Sequence, residues 1–155
     1  MARLIAEGHE RYSIIINLID MNTIYLTEKD HQRLHNLVQA QRLVGGAHVV
    51  GALSKELKRA KVVASEEIPT DVVTMNSMVK LREAKSASEI NITVVYPKDA
   101  DLSKWKISVL APLGTAVLGC KIGDTVEWTA PQRGTVTYKV EEILYQPEAA
   151  GDLYL

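Results

Sequence analysis

The hydrophobic periodicity of this 155-residue chain changes once, at Pro69, and that change constrains the fold more than any other feature of the sequence. Before Pro69, apolar residues recur at spacings of three and four, which is the period of α-helices that pack on a core. After it, apolar and polar residues alternate, as they do in half-buried β-strands. The sequence therefore predicts an α+β fold in which helices precede a sheet.

The helical part is predicted to form a hairpin of two helices. The first helix begins after Thr27, a capping residue followed by carboxylates in the first turn, and it ends at Gly45 and Gly46, which allow the chain to reverse. The second helix is predicted from about Ala47 to Val63. Apolar seams on the two helices predict a short antiparallel coiled coil about 22 Å long. The seam positions are His31, Leu34, Val38 and Gln41, and Val50, Leu53, Leu57, Ala60 and Ala64.

The alternating part is predicted to form a sheet with one short helix. The helix follows Pro112, which suits a first turn, and ends at Gly119. The last strand begins at Thr135, and its alternation slips at Glu141 and Glu142, which predicts a β-bulge there. A short third strand is predicted at Ile107 to Leu110. In the other strands the residues predicted to share the inward face are Val73, Met75, Val79 and Leu81; Ile90, Ile92, Val94 and Tyr96; Val126 and Trp128; and Val136, Tyr138, Val140, Ile143 and Tyr145.

Composition and charge indicate a soluble protein without a nucleic-acid or membrane signature. The chain is 46% hydrophobic and 24% charged with a formal net charge of -1, so no basic field favours nucleic acid. No apolar run approaches the roughly 18 residues that cross a bilayer. The single cysteine, Cys120, forms no internal disulfide, and a cytoplasmic location is expected. The run Ile14–Ile19 does not match an export signal, and we treat residues 1–20 as an N-terminal extension, with Met21 as an alternative start.

Residues that carry chemistry do not form the pattern of an active site, and we predict no catalytic, metal-binding or cofactor-binding residue. His31 and His35 are four apart on a helix, but Gln32 stands where a zinc protease has its glutamate. We interpret Cys120 as a small buried apolar residue. A cluster of cations on the second helix is either a solvated face or a contact for phosphate or an acidic protein surface: Lys55, Lys58, Arg59 and Lys61.

Three segments resemble a known family. They are DVVTMNS (Asp71–Ser77), ISVLAPLGTAVLGCKIGDTVEW (Ile107–Trp128) and YQPEAAGD (Tyr145–Asp152). Together they resemble the Rnk family, regulators of nucleoside diphosphate kinase, within the GreA/GreB superfamily of bacterial RNA polymerase factors. The middle segment is similar to the whole superfamily, and the other two are similar to the Rnk branch. The resemblance covers about residues 21–155 and implies a helical hairpin at 21–69, which enters the polymerase secondary channel, and an FKBP-like antiparallel sheet domain at 70–155.

The tip of the predicted hairpin departs from the cleavage-type members of that superfamily, which carry acidic tip residues that help to hold a second Mg²⁺ at the polymerase active site. Here the tip includes Arg42, Gly45, Gly46 and His48, and no Asp or Glu occurs from residue 31 to residue 55. Mg²⁺ prefers carboxylate and phosphate oxygens. The resemblance therefore implies a protein that occupies the channel without supporting transcript cleavage.

The resemblance also places a docking surface at Leu110, Ala111, Pro112 and Gly114, where superfamily members contact the rim of the polymerase channel. In the cleavage factors the first three positions are acidic, serine and proline. Only Pro112 matches, because leucine and alanine replace the polar pair. The contact with the rim is then either more hydrophobic or made elsewhere.

The predicted function is that of a cytoplasmic, monomeric, non-enzymatic regulator that binds RNA polymerase and competes with Gre-type factors. It needs no cofactor, binds no membrane and meets DNA or RNA only indirectly, through the transcription complex. One alternative is a peptidyl-prolyl isomerase, which the FKBP-like fold implies, although fold alone does not confer activity and the chain contains no Phe. The other is direct regulation of nucleoside diphosphate kinase, which the family name implies.

Overall fold

The computed structural model describes residues 23–155, so the predicted N-terminal extension, 1–20, lies outside the described residues. Helices precede the larger sheet, as predicted. None of the helices in the described part of the chain has both the length and the apolar character needed to span a bilayer. In chain order the elements are β1 (Tyr25–Thr27), α1 (Glu28–Leu43), α2 (Gly51–Arg59), β2 (Lys61–Val63), β3 (Met78–Glu83), β4 (Glu89–Val95), β5 (Lys106–Ser108), α3 (Pro112–Val117), β6 (Thr125–Ala130), β7 (Gly134–Tyr145) and α4 (Pro147–Ala150).

Helix α1 begins and ends where the sequence predicts. The Thr27 hydroxyl accepts the backbone N–H of Asp30 at 3.0 Å, which is the expected N-cap bond. At the other end Gly45 has a φ of 85°, a backbone conformation that residues with a Cβ rarely adopt. The next glycine, Gly46, donates its N–H to the Gln41 carbonyl at 2.7 Å and closes the last turn. The glycine pair therefore ends the helix, as predicted.

Helix α2 is shorter than predicted, with nine residues instead of a helix that continues to Val63. The chain leaves the helix at Ala60, and β2 pairs in parallel with β1, so that Tyr25 lies opposite Lys61. The β-branched pair Val62 and Val63 favours a strand once a partner backbone is available. At 1.5 Å per residue, α1 is about 24 Å long and α2 about 13 Å. The prediction of two matched helices was therefore wrong for the second one.

The two helices run antiparallel and pack through part of the predicted seam. The His31 Nε2 atom lies 3.1 Å from the Leu57 carbonyl oxygen, and Arg42 Nη2 donates to Ser54 Oγ at 3.1 Å. These contacts pair the start of α1 with the end of α2 and the end of α1 with the start of α2. The buried seam residues are Leu34, Val38, Val50, Leu53 and Leu57. We call the two helices and the turn between them the arm.

The larger sheet has the strand order β5-β4-β3-β7-β6 and is mixed. Strands β3, β4, β6 and β7 pair antiparallel, but β5 lies parallel to β4, with Thr93 opposite Lys106. The prediction of a wholly antiparallel sheet was therefore wrong at this edge. The connection of residues 96–105, which contains two short 3₁₀ turns, returns the chain to the level of Thr93, in the second half of β4, before β5 begins.

Strand β7 contains the predicted β-bulge. Lys80 and Leu81 of β3 pair with Glu142 and Val140, which leaves Glu141 as the extra residue. A second register shift, which the sequence did not predict, follows further along β7. The first bulge compensates for the slip in alternation, so that apolar side chains on both sides of it turn toward the core.

The segment before β3 is buried as predicted but is not a strand. Val73 and Met75 have 0% and 1% of their surface exposed. The Ser77 N–H donates to the Thr74 carbonyl, and the Ser77 hydroxyl accepts the Thr74 N–H at 2.9 Å, so the chain forms a local turn. Asn76 occupies the left-handed region with a φ of 66°. The segment therefore forms a turn before β3, although Asn76 and Ser77 each form a backbone hydrogen bond with Val94 of β4.

Candidate functional site

The predicted docking residues lie in the connection from β5 to α3 and in the first turn of α3. Pro112 is exposed, and Leu110 and Ala111 are half-buried against the edge of the core, whereas Gly114 is buried. We call the surface formed by Leu110, Ala111 and Pro112 the docking corner. Its role in docking is a prediction that rests on the resemblance; the structure describes its exposure and its rigidity.

Three hydrogen bonds hold the docking corner in place. The Ser108 carbonyl accepts the Ala111 N–H at 2.9 Å, and the Ser108 hydroxyl accepts the Leu110 N–H at 3.1 Å. Thr115, one turn into α3, donates its hydroxyl to the Val109 carbonyl at 2.6 Å. The connection is thus bonded to itself and to the helix that it starts. A partner that binds here meets a surface that needs little further ordering.

Gly114 allows α3 to start at this place. A Cβ at position 114 would lie 2.2 Å from the Ser108 carbonyl oxygen and 3.1 Å from the Val109 Cα. Both atoms belong to the backbone, so neither can move aside without disturbing the docking corner. Gly114 therefore supports the corner from below, and its predicted direct contact with a partner stays a prediction.

The other end of α3 contacts Ile24 and Tyr25, which lead into the arm and which we call its root. Gly119 has a φ of 78°, and a Cβ there would lie 2.7 Å from the Ile24 Cβ. The Gly119 carbonyl accepts the Tyr25 N–H at 3.3 Å, and its own N–H donates to the Val73 carbonyl at 2.8 Å. The chain that leads into the arm thus crosses directly over Gly119. One six-residue helix connects the docking corner with the root of the arm.

The two segments that resemble the Rnk branch contact each other beside this root. Thr74 of DVVTMNS donates its hydroxyl to the Glu148 carboxylate of YQPEAAGD at 2.7 Å. Gln146, which is buried, donates its side-chain amide to the carbonyls of Pro69 and Val72, each at 2.9 Å. Sequence reasoning singled out both segments but gave no signal that they lie together.

Asp30 connects α1 to the same cluster and was not among the predicted site residues. Its carboxylate accepts the Met75 N–H at 3.1 Å, and only 3% of the residue is exposed. Burial raises the pKa of Asp30 to about 6; the Met75 N–H opposes the shift, and the negative charge of Glu148 adds to it. In the sequence Asp30 is one of the carboxylates in the first turn of α1, and nothing there indicates a contact with residue 75.

The tip of the arm is apolar and carries positive charge. Leu43 and Val44 are 88% and 79% exposed, which is unusual for adjacent apolar residues. Arg42 and His48 are exposed as well, at the end of α1 and in the turn that follows it, and a shared role for them stays a prediction. Gly46 differs, because it is buried and a Cβ there would lie 2.9 Å from the Gln41 carbonyl oxygen.

The remaining candidates have local structural explanations. One ring nitrogen of His31 faces the Leu57 carbonyl, while His35 is exposed. Among the described residues, no three His, Cys, Asp or Glu side chains lie close enough to hold a metal ion. The Cys120 thiol donates to the Ala116 carbonyl at 3.3 Å, and burial raises its pKa to about 12. The prediction of a buried cysteine is confirmed.

The cationic cluster on α2 and β2 faces solvent. Its four members are exposed, and Arg59 forms an ion pair with Glu56 one turn earlier on the helix. The Lys61 ammonium lies 5.6 Å from the centre of the Tyr25 ring, and Lys121 approaches the same ring to 4.5 Å. Two of the nearby cations therefore stabilise the root of the arm.

Comparison with known proteins identifies the family. A family model described as "Transcription elongation factor, GreA/GreB, C-term" matches residues 68–145, and a model described as "Rnk N-terminus" matches residues 22–63. The chain belongs to the Rnk family, within the GreA/GreB superfamily. The resemblance seen in the three segments is thereby confirmed.

Individual relatives agree with this assignment. The "Regulator of nucleoside diphosphate kinase" of Escherichia coli K12 is 42% identical over 134 residues, which cover 86% of this chain and 97% of that protein. Transcription elongation factor GreA of Syntrophomonas wolfei is 39% identical over 92 residues, or 59% of this chain and 57% of that protein. A solved GreA/GreB structure from Nitrosomonas europaea superimposes with a TM-score of 0.65 at 43% identity, covering 79% of this chain and 98% of that one.

The contact below Gly114 predicts a large difference between two glycine substitutions. We expect Gly114→Ala to lower the free energy of unfolding by about 2–4 kcal/mol, because the new Cβ collides with backbone. Gly51→Ala at the start of α2 is the control, since no atom lies within 4 Å of its Cβ position, and we expect a change within about 0.5–1 kcal/mol. Urea denaturation followed by circular dichroism measures both; equal stability of the two variants would contradict the account.

Asp30 predicts a dependence of stability on pH. Because burial raises its pKa from 3.8 to about 6, the folded protein holds this proton more tightly than the unfolded chain. The resulting stabilisation is present below pH 4 and is lost as pH rises through 6, at most about 3 kcal/mol. Asp30→Asn should remove this decrease while keeping an acceptor for the Met75 N–H. Unfolding curves between pH 4 and 7 test it, with exposed Glu28→Gln as control; parallel profiles for wild type and Asp30→Asn would refute it.

Proposed function

We propose that this protein is a non-enzymatic, cytoplasmic regulator that binds RNA polymerase as a monomer and occupies its secondary channel without supporting transcript cleavage. The observation that carries the proposal is the arrangement about α3: a rigid docking corner at one end and the root of an arm without acidic tip residues at the other. The matched proteins named transcription elongation factors support a polymerase partner. Contact with DNA or RNA would then be indirect.

The proposed division of the chain follows from the same two functions. We assign residues 21–69 to the hairpin and residues 70–155 to an FKBP-like sheet domain that carries the docking corner. The ranges of the two family models, 22–63 and 68–145, meet close to this boundary and support it. The domains would act as a pair, since the sheet domain supplies the anchoring surface and the hairpin supplies the part that enters the channel.

The docking corner suits a protein partner that offers an apolar surface. Pro112 projects from a connection fixed by three hydrogen bonds, and Leu110 and Ala111 beside it lack polar side-chain groups. Binding there would bury apolar area without leaving an unpaired polar side chain behind. This supports the more hydrophobic version of the rim contact over one that depends on ion pairs.

The arm tip suits occupation of a channel rather than metal-assisted hydrolysis. Leu43 and Val44 are exposed at the end of α1, and the charged residue that precedes them, Arg42, is a cation. A second Mg²⁺ would find no carboxylate oxygen at the tip of this arm. Competition with Gre-type factors follows from shared occupancy of one channel, since two arms cannot fill the same space.

One observation favours a second function. The relative from Escherichia coli bears the name "Regulator of nucleoside diphosphate kinase", which supports direct regulation of that kinase as the alternative. The isomerase alternative has weaker support, because only two aromatic side chains, Tyr96 and Tyr154, line the groove between α1 and the connection that follows β4.

A charge in the docking corner should weaken binding to polymerase. We expect Pro112→Asp and Leu110→Asp each to reduce affinity for core RNA polymerase at least about tenfold, because an unpaired carboxylate would be buried on association. The matched control is Ile122→Asp, an exposed apolar residue beyond the other end of α3. Surface-immobilised polymerase and competition with GreA provide the readouts. Absence of wild-type binding at micromolar concentration would remove the proposal, and equal binding by all variants would remove the corner from it.

Carboxylates placed on the tip test whether the arm reaches the polymerase active site. Leu43→Asp with Val44→Asp is the suitable pair, because both side chains are exposed, whereas Gly46 has no room for a Cβ. We expect neither the wild type nor this variant to cleave RNA in a stalled complex. An arm about 24 Å long is expected to be too short to bring its tip to the polymerase active site. Gln39→Asp, on the shaft of α1, controls for added charge. Cleavage by the tip variant alone would show that the length argument is wrong.

A further inference from the structure

The last ten residues of the chain run from the sheet to the arm. Helix α4 ends at Gly151, which has a φ of 81°, and the chain then turns toward α1. There the Lys29 ammonium contacts the Leu153 carbonyl, and Arg33 Nη1 donates to the Leu155 carbonyl at 2.9 Å. Lys29 and Arg33 lie four residues apart, on one face of the first turns of α1. Two cationic side chains of the arm thus bind backbone carbonyls near the end of residues 146–155, which we call the tail.

The sheet end of the same segment is held more firmly. The buried amide of Gln146 binds the carbonyls of Pro69 and Val72, and Glu148 accepts the Thr74 hydroxyl at 2.7 Å. The Tyr145 hydroxyl donates to the Asp152 carboxylate and closes the segment on itself. The tail therefore has a fixed origin on the sheet side and a lighter attachment on the arm.

Beyond this attachment, α1 stands away from the sheet. A groove of about 810 Å³ separates residues of α1, among them Arg33 and Leu37, from the connection that follows β4 at Tyr96 to Asp99. Tyr154 and Leu155 form part of the groove wall, so the tail spans the space that α1 and the sheet leave open. The direction of the arm then depends on the apolar core that its helices share with the sheet, on its root at Gly119, on the Asp30 contact with Met75 and on the tail.

We propose that residues 146–155 form a strap that sets the direction in which the arm leaves the sheet domain, with Lys29, Arg33, Thr74 and Glu148 as its positioning residues. The inference rests on the proposed function and adds the element that aligns its two contacts. For an arm about 24 Å long, a rotation of about 10° at the root moves the tip by about 4 Å. A protein that must seat its docking corner and its arm together gains affinity when that angle is fixed before binding.

The test measures the angle directly and binding separately. Spin labels at His48→Cys on the tip and Thr129→Cys on exposed β6, in a Cys120→Ala background, report the distance from arm to sheet by electron paramagnetic resonance. We expect a narrow distribution for otherwise unaltered protein and a broader or shifted one for Lys29→Ala with Arg33→Ala. The same variant should bind polymerase roughly two- to tenfold more weakly.

Three further variants guard against a merely structural effect. Gln39→Ala, exposed on α1 away from the tail, should match the wild type in distance and affinity. Arg33→Lys, used in place of Arg33→Ala, should restore most of the narrow distance distribution, because it keeps a cationic donor at the same place. Removal of Leu153–Leu155 should reproduce the Lys29 and Arg33 substitutions without altering the arm itself. Thermal unfolding establishes that each variant is folded.

The outcomes separate the strap from the proposed function. An unchanged distance distribution in both the double substitution and the shortened chain would overturn the strap, whatever the polymerase result. A broadened distribution with unaltered affinity would overturn its positioning role. If the wild type fails to bind polymerase while the distribution still broadens, the strap stands and the proposed function falls.

Discussion

The close approach of the arm's root to Gly119 is the contact on which the rest of the structure depends. Only a residue without a Cβ lets Ile24 pass at this distance, and the adjacent Tyr25 N–H binds the Gly119 carbonyl. The docking corner lies at the start of α3, and Gly119 follows the end of this helix. The same short rigid helix therefore connects the docking corner with the root of the arm. Both glycines of this segment therefore allow close approaches that a Cβ would prevent. Gly114 lets α3 pack against the docking corner, and Gly119 lets the root of the arm pack against the end of α3.

Asp30 shows that the joint between arm and sheet is specified at some cost in stability. A carboxylate with 3% exposure loses most of its hydration, and one backbone N–H replaces only part of it. An apolar residue would pack at this position without that loss but would leave the Met75 N–H without this acceptor. The bond joins α1 to a turn 45 positions later in the chain, so it selects one seating of the helix over others that bury similar area.

The sequence predicts what local rules determine and misses what depends on distant partners. The Thr27 cap, the reversal at the glycine pair and the bulge at Glu141 follow from residue types within a few positions, and the structure has all three. The early end of α2 does not, because β2 forms only where β1 offers a parallel edge. The contact of Thr74 with Glu148, across 74 positions, is equally invisible in either segment alone. Of the candidate site, the exposed corner and tip were predictable, and the joint that relates them was not.

The two segments similar to the Rnk branch lie at the joint between the arm and the sheet and not at the docking corner. The segment Ile107–Trp128, which is similar to the whole superfamily, contains the docking corner and Gly119, against which the root of the arm packs. The two segments similar to the Rnk branch, DVVTMNS and YQPEAAGD, bind each other beside this contact, and the chain after the second one extends toward α1. If docking chemistry is common to the superfamily, then a change in arm length or direction requires a different joint rather than a different docking surface. A short arm with an apolar tip tolerates less angular error than one guided by charged tip residues, since apolar contacts act only at close range.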